Sequence, residues 1–444
     1  MERNMKSMKI VALCGLLGYG YSEEALRIAF SEKVDFIGVD AGSTDPGPYY
    51  LGSGKSFTDR TAVKRDISLA LPLALEKKAP LIIGTAGGAG SNVHVEWLKK
   101  IIFEVARDLG LHFKLGTIYS DVTKEYVTQK LEEGKIKNLS DRFPLTNEAL
   151  KESERIVSQV GVAPFIKLLS EGVDVIVSGR ACDTAIYAAP CIMKGYDPGL
   201  AFHMAKIMEC GAMCAEPVAA ADVMQGYIYD DHFELCPANP KRRCTVDRVA
   251  AHTLYEQSNP YLIYEPDGVC DLTNSVFTQK DERTVSVSGS VFRDAEVKTL
   301  KLEGVKCSGY RTICPATIYD PLTIEKFPEM VKTVNAFVKE NTQNTLPENS
   351  YTVNYKTSGG AESSLGVVID VVGKTQEIAD TVCALIRSRM LHCDYEGRKS
   401  TAGNLAFPFS PSDIHVGEVY EFSVFHLAEV DSLLETSRLT VEEI

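Results

Sequence analysis

Four short apolar runs, at residues 9–14, 35–39, 81–84 and 173–178, are each closed by glycine or a polar turn residue, and stretches of helical periodicity separate them. This alternation constrains the fold more than any other feature. A strand, a crossing helix and a second strand in the same direction form the βαβ unit. The pattern therefore predicts an α/β fold: a mainly parallel sheet with flanking helices. Residues 112–118 are a fifth strand candidate, and helices are expected at 22–31, 59–77, 92–109, 124–133 and 163–170. Ser22, Asp59, Asn92 and Thr123 are suitable N-caps for four of them.

Beyond the 173–178 run come helical stretches at 181–193 and 198–213, and then a strand-rich region, 222–320, that reads as an insertion or subdomain. Helical periodicity returns at 324–339 and gives way to a polar, proline-containing stretch, 341–350, which marks a boundary. Two domains are thus expected: 1–345, an α/β unit for ligand binding and catalysis, and 346–444, a smaller α+β unit.

Charge narrows the partners. With 47 basic and 60 acidic residues the net charge is −13, which disfavours nucleic acid and anionic lipid over most of the surface. An anionic ligand would need a local positive site. The 12 cysteines contain no C-x-x-C pair, so they read as reduced thiols of a cytoplasmic protein, with no structural metal. Lys6 and Lys9 before the apolar run 10–17 have the look of a short leader, but no small-x-small cleavage site follows, and a glycine turn comes at once. No apolar stretch approaches the ~20 residues that a membrane span requires.

The candidate chemistry lies at strand ends. Gly84-Thr85-Ala86-Gly87-Gly88-Ala89-Gly90-Ser91-Asn92 sits between a strand and a helix, where backbone N–H groups of Gly87, Gly88, Gly90 and Asn92 and the helix N-terminus would suit an anion. It lacks the Gly-Lys-Ser/Thr ending of a nucleotide loop. The turn Gly15-Leu16-Leu17-Gly18-Tyr19-Gly20 resembles it, with Gly18 and Gly20 as amide donors. Asp40 ends the second strand, with Asp45 on the loop beyond; either bonds turn amides or serves a ligand hydroxyl as acceptor or base. In Ser178-Gly179-Arg180-Ala181-Cys182-Asp183, Arg180 suits a carboxylate or phosphate, and Asp183 is placed to orient it or to carry a proton. His203, Lys206 and Cys210 recur at helical spacing, with Glu209 beside them. His203 suits a proton shuttle, Lys206 an enolate and Glu209 an acid or a partner for Lys206, while Cys210 is either nucleophile or core.

Taken in order, the Gly15–Gly20 turn with Asp40, the Gly84–Gly90 loop, the Ser178–Asp183 block and His203-Met204-Ala205-Lys206-Ile207-Met208-Glu209-Cys210-Gly211 resemble the acyclic terpene utilisation family of bacteria. The resemblance runs over residues 9–339, and the later unit resembles the ferredoxin-like tail often attached to that family. It implies catabolism of branched acyclic acids or their CoA thioesters, with a small partner protein in some members.

The resulting expectation is a lyase, either a hydro-lyase or a carbon–carbon lyase. It would act on a small anionic substrate, a branched carboxylate or its CoA thioester, by proton transfer next to a carbonyl. Arg180 and the glycine amides would hold the anion, and His203, Asp183, Lys206 and Glu209 would carry the chemistry. No cofactor is assigned, CoA entering only as part of the substrate, and no metal site is assigned. The alternative is a non-catalytic ligand-binding or assembly subunit that acts with a small partner protein in a homo- or hetero-oligomer.

Overall fold

The computed structural model describes residues 7–139, 145–360 and 363–444; Lys6 lies outside them. Five of its strands are parallel: β1 (Met8–Ala12), β2 (Phe36–Val39), β3 (Leu81–Ile83), β4 (Lys114–Tyr119) and β5 (Val175–Ser178), in the order β1-β2-β3-β5-β4. Successive residues of a strand point to opposite faces, so an apolar run with no polar positions must be covered on both sides. That is what happens here. Val11, Ile37, Ile83 and Val177 pack under α1 (Glu23–Ala29), α2 (Arg60–Lys77) and α3 (Asn92–Leu109). Ile10, Ile82 and Ile176 face the other way, against α4 (Ala163–Ser170), α5 (Ala185–Met193) and α6 (Pro198–Met208).

The whole sheet is mixed rather than mainly parallel. Among the described residues it has ten strands, and those beyond β1 are antiparallel: Met224–Ile228, His232–Pro237, Val285–Ser288 and Val276–Gln279. Connection length explains how the first two of these strands pair with each other. Only three residues join the first two of these strands, and a link that short permits only an antiparallel return. Arg438–Glu443 adds an antiparallel strand to β4 at the far edge. The 222–320 region is thus divided: four of its strands extend the main sheet, Leu262–Glu265, Gly268–Asp271 and Val291–Asp294 make a separate three-stranded layer, and Thr299–Ile318 belongs to another sheet.

Two compact units emerge, one of residues up to Lys306 with Phe422–Ile444, the other Cys307–Glu421. In the smaller, residues 310–318 and strand Tyr351–Gly360 flank strand Ser364–Gly373, all antiparallel. Helices Pro321–Thr342 and Gln376–Leu391 bury Val334, Val338, Val382 and Ile386 with it. The polar stretch 341–350 therefore joins a helix and a strand of one core, and the expected 345/346 junction falls inside this unit. No helix among the described residues is long and apolar enough to cross a membrane.

Helix α6 stops at Met208, and Gly211 at φ 59 turns the chain away, so Cys210 is off the helix that was expected to run to 213. The loops after β3 and β5 interlock. Arg180 N–H donates to the Gly90 carbonyl at 2.9 Å, and a Cβ on Gly90, whose φ is 69, would stand 2.3 Å from that nitrogen. Gly90→Ala is expected to lower stability by about 2–4 kcal/mol, combining overpacking with a left-handed backbone. Urea denaturation measures this, and a change below about 0.5 kcal/mol, as at an ordinary surface position, would contradict the contact.

Candidate active site

A cleft of about 290 Å³ opens at the carboxyl ends of β1 and β2, the edge where open α/β sheets bind ligands. Gly15, Leu16 and Tyr19 line it from the turn after β1, and Asp40, Gly42, Ser43 and Asp45 from the loop after β2. Asp183 enters from the segment before α5, Glu209 and Cys210 from the end of α6, and Tyr255 and Glu256 from the loop after helix Val246–Thr253. Gly42 must be glycine, because a Cβ there would lie 2.3 Å from the Gly88 Cα. That close approach of two backbones holds the Asp40 loop against the glycine-rich loop.

Carboxyl groups dominate the cleft: Asp40, Asp45, Asp183, Glu209 and Glu256 all reach it. Two buried cations serve them. Lys206 Nζ donates to Glu209 Oε1 and lies 3.8 Å from Glu256, with the Tyr255 ring centroid 5.6 Å away. Arg180 Nη1 contacts Asp183 Oδ1 at 3.3 Å, while its Nε is committed to Glu303 Oε2 at 2.8 Å. Acid therefore outnumbers base, and burial makes Asp40, Asp183 and Glu209 hold their protons more tightly than usual. Burial raises the Asp40 pKa, Asp183 and Glu209 add to the rise, and Arg180 opposes it. Asp183 is raised by burial against the pull of Arg180 and Lys206, and Glu209 by burial against Lys206. Behind Asp183, burial pushes Glu265 up to about 8, although the Thr184 hydroxyl donates to it at 2.8 Å. Burial works against the Lys206 charge, but Glu209 more than restores it and the ammonium persists. Cys210 faces the cleft as a thiol, since burial and Glu209 raise its pKa.

The expected anion sites are filled by the chain itself. Gly18 and Gly20 donate their N–H groups to Asp66 Oδ2, at 3.0 and 3.1 Å. The Asn92 N–H at the start of α3 donates to Asp121 Oδ1 at 2.8 Å. Gly88 and Gly90 donate to the Thr85 and Ala86 carbonyls, and Gly87 lies buried against His94. None of Gly18, Gly20, Gly87, Gly88, Gly90 and Asn92 lines the cleft; the amides of Gly18, Gly20 and Asn92 satisfy internal carboxylates, and those of Gly88 and Gly90 satisfy backbone carbonyls.

Arg180 is also drawn inward. It is 3 % exposed, and Glu303, Asp183, the Thr85 hydroxyl and the Ala181 carbonyl surround it. His203 belongs to the core: Nδ1 meets Ser290 Oγ at 2.7 Å and Nε2 meets Thr253 Oγ1 at 3.1 Å, with Phe233 and Phe277 edge-on to the ring. Burial pushes its pKa down to about 3, so the imidazole is neutral and takes no part in the cleft. Of the expected site residues, Asp40, Asp183 and Glu209 converge on the cleft, with Lys206 just behind. Sequence reasoning missed Tyr255, Glu256 and Glu303. The first two follow a short helix and carry no motif, and Glu303 is one polar position in the long strand Thr299–Ile318. Among the described residues no group of three His, Cys, Asp or Glu side chains is placed to hold a metal ion.

A family model described as "Acyclic terpene utilisation family protein AtuA" matches residues 23–225 and 236–405. No curated protein and no solved structure matches the chain.

The buried imidazole of His203 makes stability pH-dependent. Its folded pKa, about 3, lies below the ordinary 6.5, so below pH 6.5 the unfolded chain binds a proton that the fold refuses. The penalty grows as pH falls towards 3. His203→Gln, which keeps polar atoms facing Ser290 and Thr253, should lose less stability than the parent between pH 7 and 4. The expected difference is on the order of a few kcal/mol, read from urea midpoints at both pH values. Equal losses in the two proteins would show that His203 is charged in the fold.

Proposed function

This chain belongs to the acyclic terpene utilisation family, and from that premise we propose that it is an enzyme of acyclic terpene breakdown, a lyase or hydratase that moves a proton next to a carbonyl. The observation that carries this reading is the meeting of Asp40, Asp183 and Glu209 in one cleft, all with raised pKa values. Carboxyl groups that keep protons near neutral pH can donate them to a carbonyl or to a leaving hydroxyl. Their conjugate bases can take the proton next to that carbonyl. Asp40 and Glu209 are assigned these exchanges, and Asp183, steadied by Arg180, sets their charge. Lys206 keeps Glu209 in place and brings an ammonium near any developing enolate.

The same acidity revises the substrate. Any of these acids that gives up its proton repels a free carboxylate about 4 Å away by about 4 kcal/mol at an effective dielectric of about 20, so a bound free acid opposes formation of the conjugate base that the reaction needs. A CoA thioester presents a neutral carbonyl at its reacting end and avoids that cost. The substrate class assigned is therefore a branched acyl-CoA thioester rather than the free acid.

Turnover assays with branched, unsaturated acyl-CoA thioesters and the matching free acids test this. Wild type should convert a thioester and ignore its free acid. Asp40→Asn and Glu209→Gln should each lower kcat/KM by about 100-fold or more, in line with loss of a general acid or base, with unfolding midpoints near the parent's. Full activity in both variants removes the assignment; turnover that appears only with a second protein added favours an assembly role instead.

A further inference from the structure

Two buried polar atoms beneath the cleft have no hydrogen-bond partner among the described residues, Asp40 Oδ1 and the Tyr187 hydroxyl. Their residues are 7 % and 0 % exposed. The packing makes them neighbours. The Tyr187 ring, on α5, lies flush against Gly38 of β2, where a Cβ would come within 2.3 Å of a ring carbon; Asp40 follows two residues later on the same strand path. At Gly84, just past β3, a Cβ would stand 3.2 Å from Asp40 Oδ1 and 2.9 Å from Ile186, the residue before Tyr187. The carboxyl oxygen and the hydroxyl are thus enclosed by the ends of β2 and β3 and by α5.

Leaving either atom unsatisfied is costly, because it has given up its hydrogen bonds to water without gaining a partner. A phenylalanine at 187 would fill the same space without that cost, and a buried tyrosine hydroxyl normally has a partner. Packing alone therefore does not account for the hydroxyl. Resting on the reading of Asp40 as a proton-transfer group, we infer that Tyr187 is a positioning residue for Asp40. Its hydroxyl is the donor to which Oδ1 turns when the carboxyl releases its proton. The balance is simple: the Asp40 O–H bond breaks, the proton passes to the substrate, and the Tyr187 O–H reorients without breaking. The other groups facing Asp40 are Asp183, Glu209 and Arg180 across the cleft and Cys14 from the segment after β1, while Gly42 offers its amide to the carboxyl. Asp183 and Glu209 oppose ionisation of Asp40 and the Cys14 thiol stays neutral, leaving a neutral donor from α5 to assist it beside the Arg180 charge and the Gly42 amide.

Infrared titration of the protonated carboxyl band reads this directly, with Asp40→Asn as the difference reference that isolates the Asp40 signal. In Tyr187→Phe the Asp40 midpoint should rise by about one pH unit, a tenfold gain in proton affinity. The thermal unfolding midpoint should stay level or rise, because a partnerless buried hydroxyl has been removed. An unmoved Asp40 midpoint overturns the inference, whatever Asp40→Asn does to turnover. A moved midpoint together with a fully active Asp40→Asn protein overturns the catalytic reading of Asp40 and, with it, the positioning role.

Discussion

The buried guanidinium of Arg180 is the interaction on which the site depends. It sits between strand ends, with Glu303 on one side and Asp183 on the other, and its backbone is tied to Gly90. Although burial favours the neutral acid, Arg180 and Lys301 hold the Glu303 carboxyl down at about 2, so the pair stays ionised in the core. Removing one member of such a pair leaves a charge without compensation, typically a loss of about 3–5 kcal/mol. A charge held this firmly is poorly suited to gripping a substrate and well suited to fixing Asp183 at the cleft. The elements that meet around it, the loops after β3 and β5 and the strand carrying Glu303, come from distant parts of the chain.

The acidity of the protein has an internal use. Asp66 fills the Gly18–Gly20 turn and Asp121 caps the helix after the glycine loop. The amides of Gly18, Gly20 and Asn92, which could have held a foreign anion, are matched by carboxylates of the chain's own, and those of Gly88 and Gly90 by backbone carbonyls. Each of these carboxyls is raised by burial, and Asp121 reaches about 6, so their tight hydrogen bonding does not outweigh loss of water. The cleft that stays open is the one rich in acid.

Legibility followed periodicity. β1, β2, β3 and β5 were readable because runs such as Leu81-Ile82-Ile83 are apolar on both faces, which only a sheet covered twice can bury. The antiparallel extension was not, since the same β-branched pattern serves either direction and partner choice depends on contacts far along the chain. In the site, Asp40 and Asp183 stood out by their positions at element ends, and Glu209 by its spacing from Lys206. His203 misled: spacing put it on one helix with Lys206, but a helix has several faces, and this side chain meets Ser290 and Thr253.

By itself, then, the chain's sequence determined the α/β layering, the loops at the carboxyl edge and the family, because these rest on local period and on residue order. Tertiary structure alone decided which polar groups meet each other and which meet solvent. An amide, a carboxylate or an imidazole has the same formula in a core, a cap or a cleft, and only the three-dimensional count of partners and buried surface around it sets its charge and its availability.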